Sequence, residues 1–503
     1  MKTSATLARL KSEAAVRETQ FVIGLIAIGV TFWQLQNSTT AICCGDFDGY
    51  YHIRWTQLLW DSLKTHHSIP SFKWLPLTIL NPKQYVDHHF LFHVFQMPFA
   101  TFKDARVGAK FASALFGGLA VASCYWLLIR YRIRYVLVWL VALLACSAPF
   151  LFRLNMAKAP PFTIIFLVIS IYFLFQRKYW PLLPIGFLFT ETYDVFPLLV
   201  LAVVAWVVVI GWTERRFEWR PLVWLVPGIL AGLVINPYFP QNLNLYYEHA
   251  RLKLTLEGFN TKVGGEWYPY DSWEFLGNSL VACIAMVVGY IALDPADRER
   301  NHHPLFFAIL STALLIMIAR WKRMAEYWPP FAVMFAAFSL QPWLEGARTA
   351  VTRLPSEVIE ELEPFLDRFT VVATSDDDGF REWLKRIGFA FLSLVLCVVL
   401  FFNLRVVRKD IAQSEPHEYY KRGAMWLVQH VPAGHIIFNT DWDDFPRLFY
   451  YDSVHSYVSG LDPSYLYERN PELSQLYERI TLGQENDPGP LIRDRFGATY
   501  VFS

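Results

Sequence analysis

GDFDGYYHIRW, residues 45–55, stands directly after the first long apolar run of a 503-residue chain. Asp46 and Asp48 sit one residue apart, with His52 and Arg54 just beyond. If the preceding run crosses a membrane, these charges lie at its end, where they are costly to hold without a partner or a task. Composition favours that reading. Apolar residues make up 54% of the chain and charged residues 18%, which suits a multi-span membrane protein better than a soluble enzyme of this length. The formal net charge of +1 gives no field toward nucleic acid, so none is expected as a partner. Of six cysteines, Cys124, Cys146, Cys283 and Cys397 lie in apolar runs and Cys43 and Cys44 are adjacent; no disulfide is expected. The N-terminal stretch is polar, and no cleavable signal peptide is expected.

A helix needs roughly 20 apolar residues to cross the hydrocarbon core. Candidate spans fall at 20–36, 107–129, 134–150, 160–176, 179–190, 195–212, 221–236, 276–293, 304–320, 327–341 and 387–404. The run at 179–190 is short, and a polar TETYD (190–194) separates it from 195–212, so both are expected to be broken or tilted. The count is about eleven, which puts the two termini on opposite sides. With the N-terminus inside, the inner loops are RYRIR (130–134), QRK (176–178), TERRFEWR (213–220) and DRERNHH (297–303), all basic or mixed. The outer side then receives 37–106, 151–159, TETYD, 237–275, 320–326 and the tail. RWKR (320–323), Arg153 and Lys158 fall outside, against the charge rule; either the topology is shifted, or they bind something anionic there, or they are ordinary snorkelling cations at helix ends. The acidic loop 342–386 reads as a solvated connector.

Residues 1–404 thus form a transmembrane domain and 405–503 a small α/β domain of its own. In the tail, YYKRGAMWLVQHV and PELSQLYERITLG have helical spacing, while HIIFNT and GATYVFS read as strands.

The dense polar motifs all fall on the outer side. Asp48 before Gly49 is expected to cap a helix whose Tyr51, Trp55, Leu58 and Leu59 form one interfacial face. Its alternative role is a base or metal ligand. In QYVDHHFLFHVF (84–95), Asp87, His88, His89 and His93 cluster in a helix, and the i,i+4 pair His89 and His93 is spaced to share a metal, or else the cluster lines a polar groove. GGEWYPYDSWEF (264–275) holds Glu266 among aromatic rings that suit a sugar. RWKRMAEYWPPF (320–331) brings Lys322 and Arg323, a natural cradle for a lipid phosphate, although Arg323 and Glu326 are also spaced to pair. NTDWDDF (439–445) places Asp441, Asp443 and Asp444 around Trp442 as an acidic pocket.

Four of these stretches resemble one family. The chain is similar to the GT-C membrane glycosyltransferases, and within them to the catalytic subunit of oligosaccharyltransferase and its bacterial single-subunit relatives. FDGYYHIR (47–54) resembles the family's FDPxFNYR stretch after the first span, GGEWYP (264–269) its SVSE or TIxE loop, RMAEYWPP (323–330) its RxMLxLxP segment, and DWDDF (441–445) its WWDYG signature. The resemblance implies a polytopic, mainly α GT-C fold with a C-terminal extracytoplasmic α/β domain. It puts Asp48 in the place of the catalytic, metal-associated aspartate, Glu266 in that of the acceptor-binding glutamate, and Arg323 in that of a conserved arginine. Trp442 and Asp443 then match the positions that recognise the acceptor's hydroxy residue. The chain departs from the pattern in two places. The next outer loop reads RLNMAKAP (153–160), with no acid where the family keeps an acidic pair. The signature's first tryptophan is Asp441, and its tyrosine–glycine pair is Asp444 and Phe445.

The expected activity is transfer of a sugar or oligosaccharide from a polyprenyl-(pyro)phosphate carrier to a protein, lipid or glycan acceptor on the outer face of the inner (plasma) membrane. Asp48, Asp46 and Glu266 are the expected catalytic groups. Arg323, Lys322, Arg153 and Lys158 hold the phosphate, while Trp442, Asp443 and Asp444 hold the acceptor. Asp87, His88, His89 and Arg54 line the groove. Mn²⁺ or Mg²⁺ on Asp48 and Asp87 is the cofactor that the resemblance implies. The rivals are a protein O-mannosyltransferase-like or lipid or polysaccharide glycosyltransferase of the same superfamily, and a transporter of a lipid-linked substrate.

Overall fold

The structure is a computed structural model that describes residues 2–43, 47–254, 265–294, 301–344 and 378–503. Asp46 and most of the acidic loop 342–386 lie outside the described residues. Every apolar run expected to span becomes a helix. The first is α1 (Lys2–Gln36); after it come α2 (Asp48–His66) and α3 (Phe90–Ala100), then α4 (Ala105–Arg130). α5 (Val136–Ala145) and α6 (Ala148–Leu154) meet at 83°, a break set where Ser147 accepts a hydrogen bond from the Phe150 N–H. α7 (Pro160–Phe175), α8 (Leu182–Thr192), α9 (Pro197–Glu214) and α10 (Arg220–Val234) follow, then α11 (Gln241–Leu254). α12 (Ser272–Asn278) and α13 (Leu280–Ala292) form a second bent pair, at 84°, before α14 (His302–Ile318), α15 (Trp328–Leu344) and α16 (Asp378–Ala412).

Segments of α1, α4, α9 and α16 are each long and apolar enough to cross a bilayer alone, and each bent pair is so when taken as one span. Exposed Val208, Leu230, Ile284, Ile316 and Phe391 add an apolar exterior to an interior that is also apolar. The chain is a multi-pass membrane protein. α8 and α10 approach closely because Gly228 and Gly232 face α8: a Cβ on Gly228 would lie 2.2 Å from the Leu183 carbonyl oxygen, and one on Gly232 would lie 2.8 Å from Thr190. That contact fixes the end of α8, where TETYD emerges.

The tail contains the two helices and two strands expected, with three more helices and one more strand. Its elements are α17 (Lys421–His430), β1 (Ile436–Asn439), α18 (Phe445–Tyr451), β2 (Ser456–Tyr457), α19 (Ser464–Arg469), α20 (Pro471–Thr481), α21 (Pro488–Phe496) and β3 (Ala498–Phe502). The strands form one parallel sheet in the order β2-β1-β3, with Ile437 paired to Tyr457 on one side and to Tyr500 on the other. α16 runs through Ala412, past the sequence boundary at 404, into the tail.

Two expectations are corrected. Cys43 is disulfide-bonded, while the four cysteines in apolar runs are free. α2 is also not an interfacial helix. Tyr51, Trp55 and Leu59 are buried, and the first two pack with Phe445 and Phe449 of the tail. α2 is thus clamped between the membrane domain and the tail. The side chain of Arg447, fully buried, stacks 3.4 Å over the ring of Phe47 and pairs with Glu415, pinning the residue just before α2 to the tail.

Candidate active site

α2 opens the site. Phe47 is its cap residue and makes no side-chain capping bond, so Asp48 is not the cap but the first helical residue, a favourable place for an anion. Its neighbour Gly49 allows a tight approach: a Cβ there would meet Ile42 at 2.7 Å and Ala157 at 2.9 Å. The loop before α7 therefore lies against the start of α2, and Lys158 Nζ sits 2.8 Å from Asp48 Oδ2.

Glu266, in a short 3-10 turn (Gly265–Trp267), is held between two arginines. Arg323 Nη1 donates to its Oε1 at 3.0 Å and Arg153 Nη2 to its Oε2 at 2.8 Å. Arg153 also pairs with buried Glu326, and Arg323 donates to the Tyr193 hydroxyl and stacks 5.1 Å over Trp267. Burial alone would raise the Glu266 carboxyl, but Arg323 and then Arg153 outweigh it and hold it well below the usual carboxylate range. Arg323 and Glu326, expected to pair, come only to 4.0 Å.

Asp48, His52, His88, His89, Lys158, Asp194, Glu266 and Arg323 line one cleft of about 710 Å³, together with Leu461, Asp462 and Tyr465 of the tail. Every one of the six segments assigned to the outer side contributes: Asp48, Lys158, Asp194, Glu266, Arg323 and Asp462 come one from each. The loops assigned to the inner side contact one another instead. Arg177 and His302 both pair with Glu214, and the Arg134 side chain donates to the Leu344 carbonyl. Three of the cations that fall against the charge rule, Arg153, Lys158 and Arg323, have acidic partners in the chain: Glu266, Glu326 and Asp48.

Other candidate residues stand elsewhere. Lys322 pairs with Glu274 at 3.4 Å over the Tyr270 ring, beside the cleft rather than in it. Arg54 donates to Ser453 Oγ and ties α2 to the tail. Trp442, Asp443 and Asp444 do not line the cleft: Asp441 caps their turn, and Asp444 is buried and accepts from the Tyr420 hydroxyl. The tail residues that reach the cleft come from the loop after β2, Leu461 and Asp462, and from α19, Tyr465. His89 and His93 do not form a helical metal pair. α3 begins after His89, and both ring nitrogens of His93 are engaged, Nδ1 with Asp87 at 2.7 Å and Nε2 with His52 at 2.8 Å.

The described side chains do not fit the implied divalent ion. Asp48 faces an ammonium group, and both oxygens of Asp87 already accept hydrogen bonds, from Trp55, His93 and the His89 N–H. Among the described residues, no three His, Cys, Asp or Glu side chains gather to hold a metal.

Beside the cleft, sharing Asp194 and Trp267 with it, lies an apolar cavity of about 820 Å³ lined by Val195, Phe196, Leu198, Met317, Trp321 and Met324 among others. Sequence reasoning used TETYD only as a break between spans, yet Tyr193 and Asp194 belong to the site. Asp194 accepts from His249 at 3.3 Å, which, against the effect of burial, holds its carboxyl well below the usual range. An acid at a break between two apolar runs was the available signal.

The arrangement of helices and tail is similar to that of solved membrane proteins. The chain has a GT-C-type fold. It is similar to the oligosaccharyltransferase of Archaeoglobus fulgidus in the apo form, with a TM-score of 0.54 at 12% identity over 88% of this chain and 64% of that one. It thus spans under two thirds of that protein's length. It is also similar to ArnT from Cupriavidus metallidurans bound to undecaprenyl phosphate, with a TM-score of 0.52 at 15% identity over 90% of this chain and 89% of that one. No family model matches the sequence, and no curated protein does.

Proposed function

We propose that this GT-C chain is a glycosyltransferase that moves a sugar or oligosaccharide from a polyprenyl-(pyro)phosphate carrier to an acceptor outside the cytosol. The observation that carries the reading is the juxtaposition of the charged cleft and the apolar cavity, joined at Asp194 and Trp267. A carrier lipid needs both: an apolar channel for its isoprene units and cations for its phosphate. Met317, Trp321 and Leu198 serve the first need. Arg323 and Lys158 serve the second, with Arg153 behind them fixing Glu266. Fixed cations stabilise the charge that develops on the leaving phosphate without reorganising. Asp48 stands on the side where the acceptor enters, and Lys158, 2.8 Å from its Oδ2, orients that carboxylate. Glu266 holds the two arginines in place more than it meets the acceptor.

Within this class, a non-sequon acceptor is the reading favoured for this chain. Trp442, Asp443 and Asp444 stand away from the cleft, and Leu461, Asp462 and Tyr465 take the acceptor side. The fold likeness to ArnT, solved with undecaprenyl phosphate bound, accords with a polyprenyl-phosphate carrier. The test is transfer of labelled sugar from a panel of undecaprenyl-linked donors by the purified protein in nanodiscs. Arg323→Ala and Asp48→Asn are expected to abolish it. Full activity of both variants, or flux of the donor across vesicles with no covalent product, would overturn the reading in favour of a transporter.

A further inference from the structure

A line of side chains runs from the interior to the cleft and has no part in the mechanism above. It begins at Asp87, a buried carboxylate that can only accept hydrogen bonds. Its Oδ2 takes the indole N–H of Trp55 at 2.9 Å and lies 2.7 Å from His93 Nδ1, and its Oδ1 takes the His89 N–H at 3.0 Å. Burial opposes its charge, but His93 and Trp55 more than offset that, and the carboxyl stays below its ordinary range. His93 Nδ1 must therefore carry a proton. In neutral His93, Nε2 is then an acceptor, and its partner 2.8 Å away is His52 Nδ1, which must donate. One carboxylate thus dictates the tautomer of two rings. The nitrogen left with a lone pair is His52 Nε2, and His52 lines the cleft one helical turn after Asp48.

We propose that His52 is the proton acceptor of the transfer, backed by His93 and Asp87 as positioning residues, and that the acceptor nucleophile is a hydroxyl group. This rests on the transferase reading. As the hydroxyl oxygen bonds to the sugar's anomeric carbon, the bond from that carbon to the carrier breaks and its electron pair leaves on the phosphate. The hydroxyl proton goes to His52 Nε2, the His52 Nδ1 proton passes to His93 Nε2, and His93 keeps its Nδ1 proton against Asp87. The positive charge ends beside a buried carboxylate. It does not stay on His52, where burial, then His93, Lys158 and His88, oppose it. The other groups facing this ring are Asp48 and Tyr51 on its own helix and His89 at the start of α3. Across the cleft stand Asp194, Glu266 and Arg323. A phosphate acceptor carries no such proton at neutral pH and would leave the relay without use.

The experiment uses the full chain in nanodiscs with undecaprenyl-phosphate-linked hexose, with release of hexose to water standing in for the unidentified hydroxyl acceptor, from pH 5 to 9. Wild-type rate is expected to fall on the acid side as the relay takes up a proton. His52→Gln is expected to lower kcat roughly 100-fold or more with KM little changed, and to remove the acid limb. Asp87→Asn is expected to shift that limb to lower pH, because without the carboxylate the imidazolium is less favoured. A normal rate and acid limb in His52→Gln would overturn the proposal. Site-resolved deuterium exchange at histidine C2 gives a reading independent of turnover: Asp87→Asn should move the titration of His52, and an unmoved His52 overturns the relay. Wild-type protein that releases no sugar from any carrier sinks the transferase reading instead, whatever the exchange shows. Retention on size-exclusion chromatography identifies variants that have not folded.

Discussion

Lys158 Nζ lies 2.8 Å from Asp48 Oδ2, so the acid at the start of α2 faces a cation supplied by the chain itself. Removing either partner breaks this pair in a partly enclosed cleft.

Lys158→Met is expected to lower transfer roughly 100-fold, the typical loss when one fixed electrostatic contact is removed at a developing charge. Lys158→Arg keeps the charge and should retain more activity. Wild-type turnover is expected to be unaffected by EDTA. Activity lost to EDTA and restored by Mn²⁺ or Mg²⁺ would show that Lys158 does not stand alone.

Glu266→Gln leaves Arg153 and Arg323 without their shared carboxylate. Losing one partner of such a cluster costs roughly 3–5 kcal/mol, read as a lower melting temperature in detergent. The pH dependence has a definite sign. The folded-state pKa of Glu266 is depressed, so its contribution is complete above the unfolded value of about 4.3 and is lost as pH falls below that toward the folded value. The gap in stability between wild type and Glu266→Gln should therefore narrow on acidification below about pH 4, and should be constant from pH 6 to 8.

Arg447→Met removes the buried cation stacked on Phe47 and leaves Glu415 unpaired. The tail should loosen from the start of α2. Limited proteolysis is expected to cut between α16 and α17 faster than in wild type, and transfer should fall because Asp48 loses its anchor. Unchanged proteolysis would show that α18 and the aromatic cluster hold the tail without it.

Ala250→Trp narrows the apolar cavity without touching the charged cleft. If the cavity holds the carrier's isoprene units, KM for an undecaprenyl-linked donor should rise several-fold, by about 1 kcal/mol or more, while a short-chain donor analogue is little affected. Equal effects on both would place the lipid elsewhere.

The apolar runs, and two helices and two strands of the tail, were legible in the chain. Periodicity and hydropathy are local properties, and a bilayer converts them directly into helices. The convergence of Asp48, Glu266 and Arg323 was legible for a related reason: loops confined to one rim of a membrane bundle have little space in which to avoid one another. The site's detail was not legible. Nothing local tells that Glu266 serves two arginines, that Lys158 takes the place opposite Asp48, or that Leu461 and Asp462 rather than Trp442 and Asp443 reach the cleft. Nor does spacing reveal that His93 spends both nitrogens on Asp87 and His52, which ends its reading as half of a helical metal pair. By itself the sequence determined a polytopic bundle with its charges gathered at one rim and a small α/β tail. Which charge meets which was decided only by tertiary structure, because ion pairs and imidazole tautomers depend on approaches of a few ångströms between segments that the chain order leaves far apart.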